Sequence, residues 1–104
     1  MTVHKIRLRG SWKIERREDG SAVFERDFGS PRTRDAGERV WLVCDRVPGN
    51  GVASVNGIEI GDAVAGSAFA GDATDPLQPR TRVRFELLAV GDAELGEVGL
   101  EFRK

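Results

Sequence analysis

The chain has 104 residues and a formal net charge of −1, with 39% hydrophobic and 32% charged side chains. That length suits one domain, and a chain of this size buries roughly 60 to 70% of its unfolded surface without staples or metals. The near-neutral balance excludes the broad basic field that nucleic acid or an anionic membrane selects, and Cys44 as the only cysteine excludes an internal disulfide or a cysteine-based metal site.

In chain order, Ile6 and Leu8 alternate with Lys5, Arg7 and Arg9, the pattern of a strand with one wet face. Gly10-Ser11 interrupts it before Trp12 and Ile14 resume the alternation with Lys13 and Glu15. Asp19-Gly20 signals a turn inside the charged segment 16–21. Val23, Phe24 and Phe28 mark a third strand, closed by Gly29-Ser30-Pro31 because proline cannot donate to a ladder. Residues 32–38 read as a polar loop. Val40 to Cys44 is apolar throughout, as in a strand covered on both faces, which makes Trp41 a core residue and Cys44 a small buried hydrophobe.

Pro48-Gly49-Asn50-Gly51 then makes a tight connection into a hairpin centred on Asn56-Gly57, where a type I′ turn needs positive φ at both residues. The expected register sets Val55 against Ile58 and Ala53 against Ile60, apolar side inward, with Ser54 and Glu59 outward. Residues 61–71 are small, with Val64 and Phe69 as anchors. Asp72, Thr74 and Asp75 suit a turn that accepts backbone N–H groups, and Leu77 plugs the core beneath it. Val83, Phe85, Leu87 and Ala89 alternate with Arg82, Arg84, Glu86 and Leu88 as a further strand, Gly91-Asp92 turns the chain, and Val98, Leu100 and Phe102 form the last strand. No helical period persists for three turns. About eight short strands with frequent turn signals predict an all-β antiparallel sandwich or barrel.

Several of these segments, in this order, resemble the N-terminal sugar-binding domain of family 2 glycoside hydrolases, the β-galactosidase and β-glucuronidase group. The carriers are Leu8-Arg9-Gly10-Ser11-Trp12-Lys13, then Phe24-Glu25-Arg26-Asp27-Phe28 with Pro31, and Arg39-Val40-Trp41-Leu42 through Val47. After them come Val55-Asn56-Gly57 with Gly61, Asp72-Ala73-Thr74 with Leu77, and Leu95-Gly96 with Val98, Leu100 and Glu101. The resemblance implies a two-sheet galactose-binding-like jelly-roll over residues 1–104, a single domain, without the separate barrel that carries the family's catalytic carboxylates. The 61–69 loop is shorter than in many relatives and lacks their aromatic residues other than Phe69.

Catalysis finds little support. His4 is the only histidine, near the terminus, and a nucleophile, base and orienter must converge for covalent catalysis. Asp72 and Asp75 sit where the fold needs turn formers rather than a glycosidase pair, and a calcium ion there would need a denser acidic loop. No metal or cofactor is expected. Sugar binding depends on exposed aromatics. Trp12, between Ser11 and Lys13, is the better candidate of the two Trp, while sandwich loops hold the polar groups Asn50, Asp62 and Arg80. The expectation is a non-catalytic binding module for a carbohydrate or small ligand, the alternative a scaffold domain that meets a protein partner, with neither nucleic acid nor membrane as partner and no indication of oligomeric state. Residues 1–10 lack the apolar stretch of a secretory signal, so a cytoplasmic location is the default, although a module cut from a larger secreted protein would read alike.

Overall fold

The computed structural model describes residues 3–10, 12–29 and 34–104; Ser11 and the Ser30-Pro31 stop signal lie outside them. Nine strands are present among the described residues: β1 (His4–Arg7), β2 (Lys13–Arg16), β3 (Ala22–Gly29), β4 (Arg39–Cys44), β5 (Gly51–Val55), β6 (Ile58–Ala63), β7 (Phe69–Asp72), β8 (Arg80–Leu87) and β9 (Val98–Arg103). They form two antiparallel sheets, ordered β1-β9-β4-β7 and β2-β3-β8-β5-β6. Among the described residues no helix is long and apolar enough to cross a membrane.

Strand alternation builds the interior. Phe24 and Phe28 of β3, Val83, Phe85 and Leu87 of β8, and Ala53 and Val55 of β5 face Val40, Leu42 and Cys44 of β4 and Leu100 and Phe102 of β9 in one buried cluster. Phe85 lies near its centre, its ring 5.7 Å from Phe69 and 6.4 Å from Trp12. Leu77 packs partly buried against this cluster from the turn after β7.

The strand beyond the eight expected is β7, whose Phe-Ala-Gly-Asp sequence carries too little apolar alternation to announce a strand. Its place depends on close approach. A Cβ on Gly71 would sit 2.9 Å from the Ile60 carbonyl oxygen and 2.8 Å from the Phe69 ring, so the small residue lets β7 close the sandwich corner against β6. Val64, expected as an anchor there, is 57% exposed.

Three further expectations are corrected. Val55 pairs with Ile58 and Ser54 with Glu59, but a bulge after Ala53 sets it against Gly61 rather than Ile60, and Ile58, on an edge strand, stays exposed. β8 stops at Leu87, because Ala89 takes a left-handed φ of 51° and turns the chain. Trp41 is not core. It lies half-buried on the outer face of the four-stranded sheet, its ring under the Arg103 guanidinium at 4.8 Å, while Val40, Leu42 and Cys44 supply the inner face.

Candidate functional site

A groove of about 760 Å³ lies on the outer face of the five-stranded sheet. The side chains opposite the core residues of β3 and β8 make its floor: Glu25 and Asp27 from β3, Arg82, Arg84 and Glu86 from β8. The register sets Glu25 against Arg84 and Asp27 against Arg82, so unlike charges meet across the strands. Arg82 grips Asp27 with two bonds, Nε to Oδ1 at 2.7 Å and Nη2 to Oδ2 at 3.1 Å. Arg84 Nε lies 3.0 Å from Glu86 Oε1, and its Nη1 lies 3.9 Å from Glu25. The hydrogen bond from Arg82 holds the Asp27 carboxyl below its usual range, and the same contact pushes the Arg82 guanidinium up.

The Asn56-Gly57 hairpin closes one end. Asn56 and Gly57 take φ of 51° and 82°, the pair of positive values a type I′ turn requires. The Asn56 amide donates to the Pro76 carbonyl at 2.7 Å and accepts from the Arg82 N–H at 2.9 Å, tying the hairpin to both the β7–β8 turn and the groove floor. Arg80, opposite Gly29 at the start of β8, is exposed on the groove and makes no ion pair within 4.0 Å among the described residues.

Of the residues singled out from sequence, only Arg80, Asn56 and Gly57 meet here. Asn50 accepts from the Ala65 N–H at 2.8 Å and ties two loops together. Asp62 is exposed on the edge strand β6, opposite Val52. Trp12 wedges between the sheets, donating its indole N–H to the Leu8 carbonyl at 3.1 Å, and lines a separate cleft of about 420 Å³ with Ile14 and Leu95. The groove's acids and arginines escaped notice because period-two charge on a strand reads as a wet face until the pairing register is known.

Asp72 and Thr74 serve the other sheet. The Asp72 carboxylate accepts from the Thr74 N–H at 2.9 Å and from Arg39 Nε at 3.0 Å, and the buried Thr74 hydroxyl accepts from the Val40 N–H at 2.7 Å. Desolvation pushes the Asp72 carboxyl up, but the bonds from Thr74 and Arg39 outweigh it and the net shift is downward. An aspartate that ionises more readily folded than unfolded stabilises the fold above its unfolded value near 3.8, and the gain is lost as pH falls through the lower folded value. Asp72→Ala is expected to cost about 0.5 to 2 kcal/mol at neutral pH through the lost cap. Its melting temperature should also fall less steeply than wild type below pH 4; parallel acid limbs would refute the role.

Burial pushes the Cys44 thiol up, and the sulfur donates to the Arg46 carbonyl at 3.3 Å. His4 is exposed, its ring 6.1 Å from Phe102. Among the described residues no three His, Cys, Asp or Glu side chains gather to hold a metal ion.

With that geometry in place, solved structures supply the comparison. The β-glucuronidase from Bifidobacterium dentium, solved with coumarin-3-O-glucuronide, superposes with a TM-score of 0.80 at 14% identity, over 97% of this chain and 30% of that one. The FMN-binding β-glucuronidase from Facaelibacterium prausnitzii L2-6 gives 0.78 at 18% identity, over 96% and 22%. A glycosyl hydrolase family 2 member from Bacteroides cellulosilyticus DSM 14838 gives 0.62 at 18% identity, over 80% and 13%. The fold resembles that of a β-sandwich domain within these glycosidases. The chain spans less than a third of the length of each of these enzymes. No protein-family model matches the sequence, and no curated protein does.

Proposed function

We propose that the chain is a non-catalytic binding module whose groove on the five-stranded sheet takes a polar, polyhydroxylated ligand of the carbohydrate class. The cross-strand ladder of Asp27–Arg82 and Glu25–Arg84 carries this reading. Sugar hydroxyls both donate and accept, and the ladder offers fixed donors and acceptors side chain by side chain, already ordered by their own ion pairs. Stacking contributes little, since all five Phe are buried and both Trp lie outside the groove. Affinity from hydrogen bonds alone on an open face falls in the millimolar range, about −4 kcal/mol.

Titration of glucose, galactose and glucuronate into the isotope-labelled chain is expected to move the amides of Ser54, Asn56, Arg82 and Arg84 in a saturable way. Arg82→Ala should weaken that response, whereas Asp72→Ala, on the other sheet, should leave it intact. Silence from every sugar at about 50 mM would sink the carbohydrate reading, given affinities of this order.

A scaffold role is the second reading. It is supported by the small share of each glycosidase that this fold occupies, 13 to 30% in the three superpositions above. A sandwich that is one part of a larger assembly can serve by holding neighbours in place, and loss of all sugar response would favour it.

A further inference from the structure

Among the described residues β2 is an edge of the five-stranded sheet with no strand beyond it, exposed at all four positions, with Ile14 44% exposed. Just beyond the strand, the Arg17 N–H donates to the Ser21 carbonyl at 2.9 Å, so Arg17, Glu15 and Lys13 share the parity that bonds β3. In an antiparallel ladder the intervening residues turn their N–H and C=O the opposite way. For Ile14 that way is the open edge.

We propose that β2 pairs with β2 of a second copy of this chain, antiparallel about a two-fold axis through Ile14. This register sets Ile14 against Ile14 of the second copy as a hydrogen-bonded pair, and twice sets Lys13 against Glu15. The strand is thus self-complementary in charge, as an isologous interface requires. Moving the axis between Ile14 and Glu15 would oppose Lys13 to Arg16 and turn the wrong backbone groups toward each other. Arg16 does not interfere, because its guanidinium is held by the carbonyls of Gly91 at 2.7 Å and Ala93 at 3.1 Å. The apolar cleft lined by Trp12, Ile14 and Leu95 opens along the same edge, so the exposed apolar surfaces of the two copies become continuous.

The other edges do not offer this fit. β6 and β7 meet at the closed corner of the sandwich. β1 carries His4, Lys5 and Arg7 with no acid, so its self-pairing would oppose like charges. Pairing through β2 joins two five-stranded sheets into one of ten and places both grooves on a common face. The inference stands independently of what the grooves bind.

A four-residue strand pair sits at the small end of the interface range, so association is expected at concentrations on the order of 100 µM. Analytical ultracentrifugation from about 10 µM to 1 mM should show a monomer–dimer equilibrium. Lys13→Glu and Glu15→Lys should each weaken it at least about tenfold, and the double reversal should restore it, because the swapped pair is again complementary. Ile14→Cys should crosslink under mild oxidation, since Cα atoms of a hydrogen-bonded pair lie about 5.5 Å apart, within disulfide reach. Ile58→Cys on the opposite edge, more exposed at 56%, should not. A wild type monomeric throughout, a dimer indifferent to both single reversals, or folded double-reversal protein that stays monomeric would each overturn the proposal. Should the reversals misfold by circular dichroism, equal crosslinking at positions 14 and 58 would overturn it instead.

Discussion

Replacement of Phe85 by alanine is expected to cost about 3 to 5 kcal/mol, a large part of the roughly 5 to 15 kcal/mol that holds a domain of this size folded. Phe85 is fully buried, pairs with Phe24 of β3 on one side and Ala53 of β5 on the other, and packs its ring against Phe69 from the corner strand. Truncation would therefore open a cavity where both sheets and the closing corner meet, with neighbours too rigidly paired to collapse into it. Chemical denaturation should show a lower midpoint with an unchanged slope, and the melting temperature should fall by at least about 12 °C. Phe85 also lies directly beneath the groove, whose Arg84 and Glu86 flank it in sequence and point to the other face. Binding and stability should fall together in this variant, unlike Arg82→Ala, which should lose binding alone. A loss of stability under about 1 kcal/mol would show that Phe85 is not the centre of the interior.

The contrast explains what could be read in advance. Phe24, Phe85, Leu42 and Leu100 declare themselves because a buried sheet face imposes a period of two on the sequence. The same period laid charge on the outer faces, where it carries no mark distinguishing a solvated surface from a groove. Only the register brings Asp27 to Arg82 and Glu25 to Arg84, and register depends on long-range pairing between residues 55 and 59 positions apart. Trp41 misled for a related reason. A five-residue apolar run hides its own alternation, and the outer-facing Trp41 is sheltered by Arg103 rather than by a second layer. β7 was invisible because its qualification is smallness at Gly71 rather than hydrophobicity. The Asn56-Gly57 turn was legible because its chemistry is local, needing only two residues that tolerate positive φ.

Gly51 supplies the second large effect, and the reason differs from that at Gly57. Pro48-Gly49-Asn50-Gly51 reads as a turn, yet neither Gly49 nor Gly51 adopts positive φ. What Gly51 provides is room. It enters β5 between Ala63 of β6 and Leu87 of β8, and a Cβ there would overlap the Glu86 carbonyl oxygen and approach Leu87 Cα to 3.0 Å. Both obstacles are backbone, so no rotamer change relieves them. Accommodation must spread β5 from β8, along the ladder continued by the Leu88 N–H bond to the Asn50 carbonyl at 2.8 Å. Gly51→Ala is accordingly expected to cost about 3 kcal/mol, at the upper end of overpacking effects. Gly57→Ala, where nothing lies within 4 Å, should cost only the conformational penalty, about 1 kcal/mol. The decisive measurement is the order of the two melting temperatures. If Gly57→Ala proves the more damaging, β5 does not enter the sheet in the tight approach that also sets Val52 and Ser54 along the groove wall.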